Sequence, residues 1–386
     1  MTQALHGVRI VDLTSGVAGT SATKLLASLG ADVVKIENPD GGDLTRNLVP
    51  YVFEAYNGGK RSVTLDLRTV QGRDQVRRLV GSSDVLVQSM RPGAIEKLGL
   101  GREEMAALNP RLIYASFSAF GSSGPASRRR GVDAVAQAES GLAVVQGRTL
   151  DNVSHVDVAG GLALSQGILA ALMLRERTGE VEHVEVNLLD TAIYLQSAPY
   201  AEFSATGSTF GQQAFDQQFP AVGIFDAIDG PIYIAAYWQR DWKDLCQVVG
   251  RPGLVEDPRF VSGAARAANR DALRVEITDA LRARPRREWV RELEASGILA
   301  GEARSYGEVL ADEQVAHNCS FEEVTMDNGI VARIPRRPFQ LNGRPAPDQG
   351  GARKLGADNH AVLDELNARV KKGDGDRPLA ASSHQR

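Results

Sequence analysis

The first part of the chain alternates short apolar runs with segments that have helical periodicity. Strands are predicted by the β-branched runs at 8–13, 31–37, 61–67, 84–87 and 111–117. Helical spacing appears between several of them, and the first such segment, 20–29, is followed by Gly30, a typical helix C-terminal residue. Strands that alternate with helices pair in parallel within one sheet. The pattern therefore predicts a doubly wound α/β fold.

The pattern changes in the second half of the chain. A long helix rich in small residues is predicted at 159–177, ending at Gly179, and a strand follows at 181–186. Two short strands around Asp229-Gly230 have the spacing of a hairpin, and helices are predicted at 242–249 and 270–296. This mixture indicates a second, smaller α+β domain.

Composition narrows the class of protein. The chain has 386 residues, of which 43% are hydrophobic and 24% are charged, so it is long and apolar enough to bury a core without disulfides. Its two cysteines are far apart in sequence and form no CxxC metal motif. A net charge of −4 gives no global attraction for nucleic acid or for an anionic membrane. With no leader pattern and no apolar run of membrane-spanning length, we expect a cytoplasmic protein.

Standard motifs exclude several enzyme classes. The loop after the first strand carries Gly16 and Gly19 in a GxxG spacing, whereas dinucleotide-binding folds use GxGxxG. The P-loop, HExxH and GxSxG motifs are absent. The six histidines have no ligand spacing, so no metal site is predicted.

Several sequence blocks resemble the family III CoA-transferases (the CaiB/BaiF type), and they do so in the family's order and spacing. They lie at 7–13, 25–37, 57–67, 91–100, 109–114, 120–121, 174–179 and 257–260. The resemblance covers nearly the whole chain. It implies an enzyme that moves coenzyme A from an acyl-CoA to a carboxylic acid through an aspartyl anhydride and an aspartyl-CoA thioester, with CoA as substrate and no tightly bound cofactor.

The resemblance places the family's nucleophile at Asp157, at the start of the long small-residue helix. Backbone N–H groups at a helix start stabilise negative charge there. By residue type alone, Asp157 is also a good helix N-cap. Asp133 and Asp151 are the nearest alternatives, and both are interpreted as turn or surface residues.

The same matching assigns a CoA site, which needs cations for phosphates and flat or apolar surfaces for the adenine and pantetheine. The residues implied to border CoA are Val17, Ala18, Asn38, Leu65, Leu67, Arg68, Ser89, Met90, Arg91, Lys97, Arg129, Arg130 and Val132. The run at 128–130 is also typical of a solvated face. Lys60 and Arg61 are interpreted as possible surface charges beside a strand.

Three positions depart from the formyl-CoA transferases, which have Gln, Arg and Tyr where this chain has Val17, Asn38 and Val132. The glycine run over their active site is also absent from 207–213. These differences favour an acyl group bulkier or less polar than oxalate.

Three alternatives stay open within the superfamily. An α-methylacyl-CoA racemase needs a proton-transferring His in Gly-His-Asp, where this chain has Val132, although His155 lies two residues before Asp157. The other two are CoA transfer within one diacid and a non-catalytic subunit of a heteromer.

The resemblance also implies a Rossmann-like large domain, a smaller domain and a ring-like subunit in an interlocked homodimer. The expected division is 1–205 large domain, 206–220 linker, 221–316 small domain, 317–370 return to the large domain and 371–386 disordered tail.

Overall fold

The computed structural model describes residues 3–208, 215 and 218–371. The chain forms two compact units. The larger comprises the chain up to Ala143, Thr149–Leu195 and the chain from Asn318 onward. The smaller comprises Val144–Arg148 and Gln196–His317, and its longer segment begins ten residues before the predicted linker at 206–220. Much of that linker, and all but one residue of the predicted tail, lie outside the described residues.

The larger unit is an alternating series of strands and helices. Its strands are β1 (Arg9–Leu13), β2 (Asp32–Glu37), β3 (Arg61–Thr64), β4 (Val85–Gln88), β5 (Ile113–Ser118) and β6 (Val184–Asn187). Its helices up to β6 are α1 (Ala18–Ser28), α2 (Leu44–Leu48), α3 (Pro50–Asn57), α4 (Val70–Gly81), α5 (Ala94–Lys97), α6 (Arg102–Leu108), α7 (Asp133–Glu139), α8 (Leu142–Val145, which crosses the border between the units) and α9 (His155–Thr178). Helix α10 (Leu188–Leu195) follows β6.

Within the described residues, the six strands form one parallel sheet in the order β3-β2-β1-β4-β5-β6. All five residues of β1 are buried, as expected for a central strand covered on both faces. One apolar core lies between the sheet and helices α1 and α9, and a second lies on the opposite face with α4 and α6. The predicted doubly wound α/β fold is confirmed.

Helix α9 packs closely against α1. A Cβ on Gly161 would lie 2.0 Å from Ser21 Oγ and 2.6 Å from the Ala18 carbonyl oxygen, so only glycine fits there. Among the described residues, α9 is the one helix long and apolar enough to cross a membrane by length and composition. Its Leu164 and Ile168 are fully buried in the core of the larger unit.

The smaller unit consists of a β-hairpin extended by a third strand, with helices packed on it. Its strands are β7 (Val222–Ala227), β8 (Gly230–Ala235) and β9 (Leu299–Glu302), all antiparallel. Its helices are α11 (Ser197–Thr206), α12 (Gln239–Val248), α13 (Gly263–Ala268), α14 (Arg270–Leu281), α15 (Arg286–Ala295), α16 (Tyr306–Leu310) and α17 (Glu313–His317). The predicted smaller α+β domain is thereby confirmed as a fold, and its sheet is antiparallel.

The chain after Asn318 belongs to the larger unit. It contains the antiparallel pair β10 (Phe321–Thr325) and β11 (Val331–Pro335), and helix α18 (Asn359–Lys371). Helix α18 packs beside β3, where the Asp358 carboxylate accepts the backbone N–H of Ser62 at 2.9 Å.

Two predicted elements differ from the structure. The single helix expected at 270–296 is two helices, because Pro285 precedes α15 and cannot continue α14. The hairpin turn lies at Ile228-Asp229, since Ala227 already pairs with Gly230.

Candidate active site

Asp157 is the third residue of α9 and lies in its first turn. The N-cap of this helix is Ser154, whose side chain makes no capping hydrogen bond. The backbone N–H of Asp157 instead donates to Asp133 Oδ2 at 2.8 Å. The N-cap interpretation of Asp157 is therefore wrong, and its carboxyl group is left available for another role.

Asp133 was interpreted as a turn or surface residue, and this is wrong. It is the first residue of α7 and is only 7% exposed. Its Oδ1 accepts a hydrogen bond from the Gln137 side chain, and its Oδ2 accepts the backbone N–H of Asp157 in the first turn of α9. The local sequence did not show this, because the N–H that its Oδ2 accepts belongs to Asp157, 24 positions away on α9. Asp151, the other alternative, is exposed, and its backbone pairs with the Gln137 amide.

The surroundings of Asp157 strongly favour its neutral form. Burial, reinforced by the negative charge of Asp133, raises the pKa of Asp157 from 3.8 to about 7. In the described residues the carboxylate has no ion pair with a lysine or arginine. Tyr56 is also close, since its own pKa is raised by burial and by the charge of Asp157. A carboxyl group held this way is typical of a functional site.

The packing of α9 on α1 places Asp157 near the start of α1. Asp157 lies one turn before Gly161 on the same helix face, and Gly161 contacts α1 at Ala18. Val17 is the N-cap of α1 and gives no side-chain hydrogen bond to the helix start. The first N–H groups of α1 are therefore uncapped by a side chain, which suits an anion or an oxyanion.

A cavity of about 300 Å³ lies in the larger unit where the strand order reverses between β1 and β4. We call it the switch-point cavity, and in doubly wound sheets this is the usual place for a ligand. Most of the residues that line it lie at or just after the carboxyl ends of β1 to β4. Five residues predicted to border CoA are among them: Asn38, Leu65, Leu67, Arg68 and Met90.

Buried charges support the wall of this cavity. Lys35, 1% exposed, lies 3.0 Å from Asp43 Oδ2 and donates to the Thr14 carbonyl at 2.9 Å. Lys60 is also buried and pairs with Asp12 at 3.1 Å, so its interpretation as a surface charge is wrong. Burial lowers the pKa of Lys60 to about 8, whereas the two lysines hold that of Asp12 at about 2 against the effect of burial. The network fixes the loop that joins β1 to α1.

The remaining predicted residues lie around this region of the larger unit. Ser89 Oγ accepts the backbone N–H of Ser15 at 3.2 Å, which ties the segment after β4 to the loop after β1. Arg91 and Lys97 are exposed on the segment after β4 and on α5. Arg61, suggested as a surface charge, pairs with Asp32 and Glu365 and is partly buried.

The arginines differ in how far their charge is already engaged. Arg68 pairs with Asp66 at 2.9 Å and with Asp40 at 3.0 Å. Arg129 pairs with Glu139 and lies over the Phe120 ring. Arg130 is exposed and has no hydrogen bond or ion pair with the described residues.

Val132, the N-cap of α7, is 62% exposed and directly precedes Asp133. His155, the residue considered as a substitute base, has its Nδ1 3.5 Å from Asp151 Oδ2. In the described parts of the chain, no group of three or more His, Cys, Asp or Glu side chains is arranged to hold a metal ion.

A family model for CoA-transferase family III matches residues 5–359. The chain belongs to CoA-transferase family III. It is 36% identical over 368 residues to a probable fatty acyl-CoA transferase of Mycobacterium tuberculosis, covering 86% of this chain and 91% of the relative. It is 34% identical over 377 residues to the acetyl-CoA:oxalate CoA-transferase of Acetobacter aceti, covering 94% and 95%.

A crystal structure of a CaiB/BaiF family protein from Brucella suis has the same fold. It superposes with a TM-score of 0.87 at 30% identity, covering 95% of this chain and all of that one. The predicted family and the predicted CoA-transferase activity class are thereby confirmed.

Sequence reasoning missed two groups in this CoA-transferase that lie near Asp157 or the switch-point cavity, Asp133 and Lys35. Lys35 had a local signal, because it lies between the apolar residues Val34 and Ile36 in a predicted buried strand and must therefore find a buried partner. Asp133 had no local sequence signal apart from its position at the start of a helix.

Proposed function

We propose that this enzyme is an acyl-CoA:carboxylate CoA-transferase in which the Asp157 carboxylate is the covalent nucleophile. The observation that carries the proposal is the half-buried, unpaired carboxyl group of Asp157, with its backbone held by Asp133 beside the start of α1. A poorly hydrated carboxylate attacks more readily, since less hydration must be lost in the transition state.

The reaction divides into four acyl transfers that balance without a net proton. An Asp157 oxygen attacks the thioester carbonyl carbon, the C–S bond breaks, and CoA thiolate leaves a mixed anhydride. The thiolate then attacks the Asp157 carboxyl carbon, which releases the donor carboxylate and leaves an enzyme–CoA thioester. The acceptor carboxylate attacks that thioester and expels the thiolate again, and the thiolate takes the new acyl group and restores Asp157. Each step exchanges bonds of similar energy, which is the advantage of covalent catalysis here.

The negative charge that develops on the attacked carbonyl oxygen needs hydrogen-bond donors. The uncapped N–H groups at the start of α1 support this role, because they lie on the side of α9 that carries Asp157 and Gly161. Val17 and Val132 are apolar and flank this region, which favours an acyl group with an apolar part next to the thioester.

The switch-point cavity suits the nucleotide end of CoA. Leu65, Leu67 and Met90 supply apolar surface for the adenine, and Asn38 supplies hydrogen bonds. For the phosphates, Arg130 is a better candidate than Arg129, because the charge of Arg129 is already engaged by Glu139. Arg91 and Lys97 supply further exposed cations near the segment after β4.

The homodimer is also part of this proposal. Leu162 and Met173 of α9 are 43% and 56% exposed, although Leu164 and Ile168 of the same helix are fully buried. Exposed apolar side chains on a core helix are typical of a surface covered by a partner, and a second copy of the chain is the partner that the family implies.

The covalent step is tested by intact-mass measurement after incubation with a panel of acyl-CoA thioesters, with hydroxylamine or borohydride as trap. We expect a mass change that maps to Asp157, is absent in Asp157→Ala and is kept in the matched control Asp151→Asn. A modification on a different residue, or the same modification in Asp157→Ala, would overturn the assignment. CoA binding without any modification would favour an isomerase or a silent subunit.

A further inference from the structure

A second cavity of about 250 Å³ lies on the sheet face formed by β4, β5 and β6, under helices α5 and α6. We call it the β6 cleft. Its lining is polar, and it carries His183, which no step of the proposed reaction uses. Met90 lines both the β6 cleft and the switch-point cavity, so the segment after β4 separates the two.

A row of hydrogen bonds crosses the β6 cleft from the Met90 backbone. The Met90 N–H donates to Gln88 Oε1 at 2.7 Å, and Gln88 Nε2 donates to Ser116 Oγ at 3.0 Å. Ser116 Oγ lies 3.2 Å from His183 Nε2, and His183 Nδ1 lies 3.5 Å from Glu185 Oε1. The sheet register explains the row, because Ser116 is the direct neighbour of Gln88 on one side and of Glu185 on the other.

The donors in this row all point the same way when His183 is neutral. Ser116 Oγ already accepts from Gln88, so its own hydroxyl hydrogen is free to donate to His183 Nε2. The imidazole hydrogen then lies on Nδ1, facing the Glu185 carboxylate. If His183 takes up a second proton, Nε2 becomes a donor, and the Ser116 hydroxyl hydrogen loses its acceptor. Protonation therefore reverses the bond between Ser116 and His183 and leaves the Ser116 hydroxyl hydrogen without an acceptor in the row.

The groups around His183 come from several elements. They are the Tyr114 ring and Ser116 on β5, Glu185 on β6, Arg102 on α6 and, in the same cleft, Glu96 on α5. Burial lowers the pKa of His183 and Arg102 acts in the same direction, whereas Glu185 opposes them. The neutral form is thus the form present at neutral pH.

We propose that neutral His183 is a positioning residue for CoA: through Ser116 and Gln88 it holds the Met90 segment against the switch-point cavity. The proposal rests on the placement of the CoA nucleotide in that cavity. Ser89 strengthens the link, because its hydroxyl accepts the Ser15 N–H and so connects the same segment to the opposite wall. His183 touches no reacting atom and acts on binding alone.

The test compares the affinity for CoA and for adenosine 3′,5′-bisphosphate between about pH 4 and pH 8 by calorimetry, a range that extends well below ordinary histidine titration because burial lowers the pKa of His183. His183→Gln keeps an acceptor for Ser116 and a donor for Glu185 but does not titrate, whereas His183→Ala removes both. His360→Gln, at an exposed histidine on α18, is the matched control. At each pH, the ratio of the wild-type affinity to the His183→Gln affinity removes the contribution that comes from titration of the ligand phosphates.

We expect His183→Ala to weaken CoA binding by roughly three- to tenfold at neutral pH, the effect of one hydrogen bond. His183→Gln should bind within about twofold of the wild type at neutral pH and more tightly than the wild type at the acid end of the range, where His183 takes up its second proton. A His183→Gln protein as weak as His183→Ala, or one with the wild-type pH dependence, overturns the proposal. If the bisphosphate fails to bind the wild type at all, the nucleotide placement itself is wrong, which is a separate outcome.

Discussion

Replacing Asp157 with asparagine should stabilise the folded enzyme above neutral pH while removing the proposed nucleophile. Burial and the charge of Asp133 raise the pKa of the Asp157 carboxyl group from 3.8, its value in an unfolded chain, to about 7 in the folded protein. Between these values the folded protein keeps a proton that the unfolded chain has released. The free energy of unfolding therefore falls as the pH rises through this interval, and the loss is complete above about pH 7. An asparagine amide does not titrate, so the variant lacks this loss.

The size of the effect follows from the same interval. About three pH units at about 1.4 kcal/mol each set an upper limit of about 4 kcal/mol. Asp157 is partly exposed, and water that reaches the carboxylate reduces its cost. We therefore expect the variant to exceed the wild type by about 1–3 kcal/mol at about pH 8, by about a third of that amount at about pH 5, and by little below about pH 4.

The assay is urea unfolding followed by circular dichroism across that pH range, at constant ionic strength. Asp364→Asn is the matched control, because Asp364 is exposed on α18 and has no ion pair with the described residues. The control should follow the wild type at every pH. Enzymes often lose stability at the groups that perform their chemistry, so the gain in Asp157→Asn should accompany loss of CoA transfer. An Asp157→Asn protein that keeps the wild-type pH dependence would refute the burial argument.

Three further substitutions test the surrounding structure. Asp133→Asn keeps an oxygen that can accept the Asp157 N–H but removes a negative charge, so the pKa of Asp157 should fall. The acid limb of kcat/KM against pH should then move to lower pH. An unmoved limb would show that burial alone raises the pKa of Asp157. Gly161→Ala should lower the free energy of unfolding by about 1–3 kcal/mol, because the added methyl group would overlap α1. Its control, Gly81→Ala, has open space around the new methyl group and should change the free energy of unfolding by less than about 1 kcal/mol. Both are measured by urea unfolding. Lys60→Met leaves Asp12 buried without its nearest cation and should cost about 3–5 kcal/mol in the same assay; unchanged stability would contradict a buried ion pair.

The fold was predictable because its signals are local. Buried parallel strands such as β1 and β4 appear in the sequence as continuous apolar runs, and the helices between them determine the parallel pairing. The break before α15 was also visible, since Pro285 stands inside the segment predicted as one helix. Helix propensity averaged over the whole segment does not show this boundary between the two helices, which a single proline determines.

The candidate site was only partly predictable, because burial of a polar residue depends on distant segments. Asp133 and Lys60 have ordinary sequence surroundings, yet the first is covered by α9 and the second by α1 and α3. The position of Asp157 in α9 came from the resemblance, whereas its raised pKa comes from packing that no sequence window contains. The residues that line the switch-point cavity were suggested together because they follow successive parallel strands, whose carboxyl ends share one edge of the sheet.

The apolar character of α9 has a consequence during synthesis of the protein. A segment that is hydrophobic enough for a bilayer is a hazard for a nascent chain, which must find a protein surface before it meets a membrane or another chain. Helix α1 and strand β5, on which α9 packs, both precede it in the sequence and leave the ribosome first. The order of elements thus makes a docking surface available by the time α9 emerges. A circular permutant that begins at α9 should therefore aggregate more on expression than one opened after β6, even though both contain the same contacts when folded.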